Sequence, residues 1–250
     1  MTGMLEPDRV LPLLRGRFGR PFVYRPVCDS TQRLLSGRLP EGAVAVCDEQ
    51  RAGRGRSGRR WDAPRGQAIL CSVLLRPPRM RPPAELSLVG GLATADAVER
   101  AVGSSAQIKW PNDVLLAGAK VAGVLAEASG PIVLLGIGLN VGQSRSELPI
   151  RPHTPAGSLA LFDGIERDRA PILADFLACL ERRYAVWVEH GLAPLHEALL
   201  ARDALRGRRI SVAGTAGLAA GIDEAGRLEL DTASGRITVA SGEVSIVPGG

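Results

Sequence analysis

The sequence is poor in several residue types, and each scarcity excludes a class of protein or of site. Aromatic residues make up 4% of the 250 residues, so the stacking platforms that most RNA-binding modules use are missing. No apolar run approaches the roughly 20 residues that a transmembrane helix needs, so no membrane partner is expected. The four cysteines lack the CxxC spacing of metal sites. We expect all four to be reduced thiols in a cytoplasmic protein.

Histidine is also rare, and no Ser-His-Asp arrangement is visible. His153, His190 and His196 fall in a loop and in late helical segments. We therefore do not expect a histidine to act in catalysis.

Lysine and asparagine are scarce too, with two residues each, and their positions are informative. Only Lys109 and Lys120 are lysines among 31 basic side chains, and Asn112 and Asn140 are the only asparagines. A chain that has replaced lysine almost everywhere keeps it where a compact ammonium group is needed. The net charge of +5 and the pI near 9.5 permit nucleic-acid binding but do not require it.

The basic residues are spread along the chain apart from one dense segment, Gln50–Trp61, which has five arginines and three glycines in twelve residues. Apolar runs on either side, Gly42–Cys47 and Ala68–Leu75, predict strands. Glycine allows close backbone approach to a ligand, and arginine offers paired donors to phosphate or carboxylate. The segment is thus either a cradle for an anion or a solvated basic loop.

Two phosphate-binding motifs can be rejected for this loop. Gly53, Gly55 and Gly58 have G-x-G-x-x-G spacing, but the strand Ile69–Leu75 follows where the dinucleotide fingerprint needs a helix. Arg59-Arg60 stands where a P-loop has Lys-Ser/Thr.

Apolar periodicity predicts the remaining elements. Asp29, Ser30 or Thr31 can cap a helix that begins near Arg33. The other predicted elements are helices over Ala84–Val102, Arg169–Val188 and Leu192–Leu200, a hairpin over Val114–Glu127 and a strand over Ile132–Val141.

Five short alternating segments with glycine turns follow Asp203. They predict a small all-β module. We therefore expect two domains, residues 1–203 and 204–250.

Several strand ends carry cationic groups and glycines, which suit a nucleoside triphosphate. Asp113 could bind Mg²⁺ directly or through water, because magnesium sites use few carboxylates.

The order of these motifs closely resembles the bacterial biotin–protein ligases. The matching segments are Ser30-Thr31, Gln50–Trp61, Lys109–Asp113, Lys120–Leu125, Gly136–Val141 and Gly221–Asp223. The resemblance covers nearly the whole chain. It implies an α+β fold, with a class II aminoacyl-tRNA synthetase-like mixed sheet, flanking helices and a small C-terminal SH3-like β-barrel.

Some members of that family carry an N-terminal winged helix. Only 27 residues precede Cys28, so we expect the short form that lacks the DNA-binding domain and has no DNA partner. The resemblance leaves a monomer or a homodimer open.

The resemblance implies two chemical steps. Biotin's carboxylate attacks the α-phosphorus of ATP, with Mg²⁺, to give biotinyl-5′-adenylate. A lysine of a biotin carboxyl carrier domain then takes the biotinyl group. A lipoate–protein ligase of the same fold is the alternative enzyme, and an RNA-binding protein is the non-enzymatic alternative.

The resemblance also assigns residues. It implies catalytic roles for Lys109, as the cation near biotin's carboxylate and the α-phosphate, and for Arg56. The implied biotin-binding set is Ser30, Thr31, Gln32, Gln50, Arg54, Gly55, Arg56 and Lys109. The implied nucleotide-binding set is Arg54, Arg56, Trp61, Asn112, Lys120 and Asn140, with Asp113 for the metal.

Two departures from the family pattern stand out. Gln32 replaces an asparagine, which puts its role in question. The segment 142–157 has no aromatic residue, so the adenine must be held without the tryptophan that some members place there. Trp61 could pack over the ligand or be an ordinary core residue.

Overall fold

The computed structural model describes residues 3–150 and 154–247, so His153 lies outside the described residues. The strands are β1 (Phe22–Cys28), β2 (Val44–Gln50), β3 (Ala68–Leu75), β4 (Ala106–Lys109), β5 (Asp113–Leu116), β6 (Ala119–Ser129), β7 (Ile132–Asn140), β8 (Arg209–Val212), β9 (Thr215–Ile222), β10 (Leu228–Thr232), β11 (Gly235–Val239) and β12 (Val244–Ile246). The helices are α1 (Pro7–Val10), α2 (Leu86–Val102), α3 (Leu159–Asp163), α4 (Arg169–His190) and α5 (His196–Leu200).

The first seven strands form one mixed sheet in the order β1-β2-β3-β7-β6-β5-β4. Only β1 and β2 pair in parallel, and each of the other neighbours is antiparallel. The last five strands form a separate antiparallel sheet in the order β11-β10-β9-β8-β12. The mixed sheet, its helices and the second sheet confirm the predicted fold class.

Strand β7 shows how the large sheet separates core from site. Because side chains alternate between the two faces of a strand, Val133, Leu135 and Ile137 point into the main core, where α2 and α4 also pack. Gly136 and Gly138 lie on the opposite face. That face is therefore available for a ligand at the centre of the sheet.

The N-terminal segment is tied to the core by a buried ion pair. Arg169, at the start of α4, donates to Asp48 at 2.5 Å, and both side chains are fully buried. Arg169 also donates to the carbonyls of Ala68 and Gly3 at 2.8 and 2.9 Å. Tyr24 donates to the other oxygen of Asp48 at 2.5 Å. The pair thus joins β1, β2, β3 and α4.

The C-terminal module is joined to the rest of the chain near the end of β4. The indole of Trp110 donates to the carbonyl of Gly226 at 2.9 Å, and Ile108 exchanges backbone hydrogen bonds with the segment Arg202–Ala204. Apolar side chains of both sheets belong to one continuous core. The domain boundary after Asp203 stays a prediction.

Most predicted elements are present, but one is wrong. The segment after Ser30 forms only a short 3-10 turn over Thr31–Leu34, and Ser30 makes no capping hydrogen bond there. Within the described residues, none of the helices combines the length and apolarity that crossing a bilayer requires.

Replacing Asp48 should test the buried pair. Asp48→Asn leaves the Arg169 guanidinium buried without a counter-charge, so the free energy of unfolding should fall by about 3–5 kcal/mol. Urea denaturation measures this. Asp231→Asn, which removes an exposed partner of Arg236, should leave the midpoint nearly unchanged. If the two substitutions lowered the free energy of unfolding equally, the buried pair would contribute no more to stability than an exposed pair.

Candidate active site

The floor of the site consists of three glycines at the centre of the large sheet. Gly123 of β6 pairs with Gly138 of β7, and Gly136 lies two residues before Gly138 on the same face. A Cβ atom on Gly138 would lie 2.2 Å from Trp61, and one on Gly123 would lie 3.1 Å from it. The glycines therefore let the Trp61 indole lie directly on the backbone of the sheet.

Trp61 is half-buried, and its indole N–H has no hydrogen-bond partner among the described residues. The ammonium of Lys120 lies 5.6 Å from the ring centroid, within the range of a cation–π contact. A buried unpaired donor costs about 1–3 kcal/mol. Whether Trp61 contacts a ligand stays a prediction.

Hydroxyl and amide groups form one wall of the site. The side-chain carbonyl of Gln50 accepts from the backbone N–H of Thr31 at 2.8 Å and lies 3.2 Å from its hydroxyl. The hydroxyls of Thr31 and Ser72 are 2.7 Å apart. Ser30 and Thr31 are both buried. The wall offers donors and acceptors of fixed orientation to a small polar group.

The arginine loop, residues Gly53–Trp61, covers this wall as a short hairpin. Its two strands are joined by hydrogen bonds from Gly55 N to Arg59 O at 2.7 Å and from Trp61 N to Gly53 O at 3.0 Å. Burial and the neighbouring Arg59 lower the pKa of Arg56, because both disfavour its positive charge. An anion bound beside Arg56 would favour that charge.

The C-terminal module holds one side of the arginine loop. Arg59 forms an ion pair with Glu243 at 2.6 Å, and both side chains are largely exposed. Glu243 lies beside β12, so the second sheet contributes a charge to the rim of the site. Neither Glu243 nor this contact was expected from the sequence.

Beneath the loop lies a small cavity with a free volume of about 50 Å³. The predicted site residues that line it are Ser30, Thr31, Gln32, Gln50, Arg54, Gly55, Arg56, Trp61, Asn112 and Lys120. A volume of this size holds a few water molecules rather than a bicyclic ligand. A ligand must therefore displace part of the loop or of Trp61.

A larger cavity of about 660 Å³ adjoins the smaller one. Gln50, Arg60, Trp61 and Lys120 line both cavities, and Asn140 lines the larger one. Its size lies in the range of cofactor sites. The two cavities meet at Trp61 and Lys120.

The two lysines have different surroundings. Lys120 lines both cavities and pairs with Asp113 at 2.5 Å. Lys109 is buried, donates to the hydroxyl of Thr154 at 2.8 Å and is absent from the lining of both cavities. Burial lowers the pKa of Lys109. Its role near the reacting groups stays a prediction.

The asparagines hold backbone segments beside the cavities. Asn112 donates to the carbonyl of Val124 at 2.9 Å, and Asn140 donates to that of Gly157 at 2.9 Å. Their side chains therefore fix the strand end and the loop that border the site.

Ser72 and Gly123 line the smaller cavity although they were not expected there. Ser72 is the one hydroxyl-bearing residue in the otherwise apolar strand β3, and this was the sequence feature that could have indicated a place in the site.

The described residues contain no cluster of three or more histidine, cysteine or acidic side chains that could hold a metal ion. Mg²⁺ commonly binds through one or two carboxylates and the phosphates of a substrate, and Asp113, which lines neither cavity, stays the predicted ligand. Asp113 would then exchange or share its contact with Lys120.

Comparisons with known proteins agree with this architecture. The model of the biotin/lipoate A/B protein ligase family matches residues 24–144, and that of the biotin protein ligase C-terminal domain matches residues 207–247. The two matches cover the large sheet and the second sheet in turn. They define the chain as a ligase of this superfamily.

Individual relatives narrow the class. The bifunctional ligase/repressor BirA of Bacillus subtilis is 35% identical, covering 91% of this chain and 74% of its own length. The biotin–[acetyl-CoA-carboxylase] ligase of Mycobacterium tuberculosis is 36% identical, covering 86% and 83%. The Aquifex aeolicus biotin protein ligase in complex with biotin and ATP superposes with a TM-score of 0.82 at 30% identity, covering 91% and 98%. The chain belongs to the biotin protein ligase family and is a ligase.

The position of Trp61 can be tested through Gly138. Gly138→Ala places a methyl group where the indole lies, so Trp61 should move toward solvent and its fluorescence should shift to longer wavelength. Trp110 and Trp187 are buried elsewhere and should contribute a constant background.

Two controls sharpen this test. The exposed Gly37 would meet nothing closer than Ile132, at 3.6 Å, so Gly37→Ala should leave the emission unchanged. Trp61→Phe combined with Gly138→Ala should abolish the shift. A shift that persists without Trp61 would contradict the packing described above.

Proposed function

We propose that this ligase activates biotin with ATP to biotinyl-5′-adenylate and then transfers biotin to a lysine of a biotin carboxyl carrier domain. The main support is the pair of adjoining cavities that share Trp61 and Lys120. Biotin would enter the smaller cavity and ATP the larger one. The complex of the Aquifex aeolicus ligase with biotin and ATP supports this choice of substrates.

The polar wall suits the ureido group of biotin. A ureido group has one carbonyl acceptor and two N–H donors. The wall offers the hydroxyls of Ser30, Thr31 and Ser72 and the carboxamide of Gln50, all within the smaller cavity. The glycine floor lies at the level of the backbone and leaves room for the ring system once Trp61 shifts.

The larger cavity would place the nucleotide on the other side of Trp61. Leu148, Pro149 and Ala156 give it an apolar side, against which adenine can pack without an aromatic partner. Arg60 and Lys120 line the part of the larger cavity that adjoins the smaller one. The α-phosphate would then lie close to the junction, where the carboxylate of biotin also ends.

In the first step the carboxylate oxygen bonds to the α-phosphorus and pyrophosphate leaves. Negative charge moves from the carboxylate toward the phosphoryl oxygens. We place Lys120 and Arg56 there to stabilise that charge. In the second step the neutral amine of the acceptor lysine attacks the acyl carbon, and AMP leaves with the bonding electron pair. No nucleophile of this protein is required.

Mg²⁺ would supply charge neutralisation on the phosphates when bound. Asp113 would hold it, and the substrate would supply further oxygen ligands. Lys109 would then act outside the cavities, by positioning Thr154 and the segment that borders the nucleotide.

A transfer assay tests the proposed reaction. The purified protein, ATP, Mg²⁺ and labelled biotin should modify a carrier domain, whereas a carrier whose acceptor lysine is changed to arginine should stay unlabelled. Labelled lipoate offered in the same way should give no product. Transfer of lipoate in place of biotin would establish the alternative ligase instead.

The two lysines form a matched pair of tests. Lys120→Gln should slow adenylate formation by about a hundredfold or more, because it removes a preorganised charge from the reacting groups. Lys109→Gln should have a smaller effect. Pyrophosphate release in a single turnover measures both. A larger effect of Lys109→Gln than of Lys120→Gln would show that Lys109 is the cation that stabilises the reacting groups.

A further inference from the structure

Arg54 is held on two sides at the mouth of the smaller cavity. Its guanidinium lies 2.5 Å from a carboxylate oxygen of Glu127 and 3.2 Å from the side-chain carbonyl of Gln32. Gln32 and Arg54 line the smaller cavity. Glu127, on β6, lines a groove on the outer side of the arginine loop. Arg54 therefore spans the rim between the inside and the outside of the site.

Gln32 connects this rim to the sheet. It is buried, and its amide lies 3.3 Å from the carbonyl of Leu134, with which it forms a hydrogen bond. The amide lies above Gly136, whose absent Cβ would be only 3.1 Å away. Glutamine has one methylene more than asparagine, and that extra length lets its carbonyl oxygen reach Arg54. We call Gln32, Arg54 and Glu127 the Arg54 network.

We infer that Glu127 is a positioning residue that, through Arg54 and with Gln32, holds the arginine loop closed and so sets how long the acyl-adenylate is retained. The inference rests on the proposed function. Glu127 itself lies outside the smaller cavity and touches no reacting group.

Because the loop is a hairpin, the contact between Arg54 and Glu127 also affects the strand opposite Arg54. Arg54 forms a backbone bridge with Arg60, and Trp61 is bonded to Gly53. Fixing Arg54 therefore also restrains the strand that carries Trp61. A loop held at Arg54 therefore limits how far this strand can move when a ligand displaces the indole.

The ion pair has a strength suited to reversible closure. The side chains of Arg54 and Glu127 are 52% and 35% exposed, so water and salt weaken their attraction. Such a pair favours the closed loop without preventing substrate entry or release of the product.

The test measures release of the adenylate from the full-length enzyme. Wild type, Glu127→Gln, Glu127→Lys and the control Asp231→Asn are loaded with labelled biotin, ATP and Mg²⁺, then chased with unlabelled biotin. Glu127→Gln should release the adenylate about two- to fivefold faster, the effect expected of a partly exposed ion pair. Glu127→Lys should release it faster still, because it repels Arg54. The control should match wild type.

Two further readouts separate positioning from a merely structural role. Adenylate formation in a single turnover and the midpoint of thermal unfolding should be unchanged in Glu127→Gln. Added salt should accelerate release from wild type more than from Glu127→Gln, because only wild type has the ion pair to screen.

The outcomes are distinct. Release that is unchanged or slower in Glu127→Gln would overturn the inference, and slower release would show that Glu127 competes with the ligand for Arg54. In both cases the proposed function would stand. If wild type formed no adenylate at all, the proposed function would fail, and the inference would fail with it.

Discussion

The pair formed by Gly123 and Gly138 is the constraint on which the rest of the site depends. These residues face each other on neighbouring strands at the centre of the sheet, and neither has a side chain that could fill the space above the backbone. The indole of Trp61 lies there instead, so close that a Cβ atom on Gly138 would lie 2.2 Å from it. The position of Trp61 sets the height of the arginine loop, and the loop closes the smaller cavity. The depth of the smaller cavity therefore depends on the presence of glycine at these two positions.

The charges of the site are arranged around this floor in pairs. Lys120 and Asp113 are only 11% and 20% exposed, and at such sites the attraction between opposite charges is stronger than in water. The pair holds the ammonium of Lys120 at the junction of the two cavities. A phosphate or a metal ion that enters would take one partner and release the other. A compact ammonium suits this exchange better than a planar guanidinium, in keeping with a chain that has almost no other lysine.

Much of the fold could be predicted from apolar periodicity, because helices α2 and α4 and strand β7 each have one clear core face. The glycine spacing in β7 also correctly indicated a close approach, although its partner, Trp61, comes from a distant segment. The predicted helix after Ser30 failed because the hydroxyl of Thr31 bonds to Gln50 and Ser72 rather than capping a helix. Such long-range partners are invisible in a local pattern. The surroundings of Lys109 likewise depend on Thr154, 45 residues away.

The arginine loop is ordered by carboxylates of this chain. Arg54 pairs with Glu127, Arg59 with Glu243 and Arg60 with Asp62. These partners offset the repulsion between clustered guanidinium groups, while backbone hydrogen bonds hold the hairpin itself. Each pair is exposed enough that it contributes no more than about 1 kcal/mol, so a phosphate can replace a carboxylate at small cost. The acids come from the residue that follows the loop, from β6 and from the C-terminal module, so three parts of the molecule contribute to the shape of the loop.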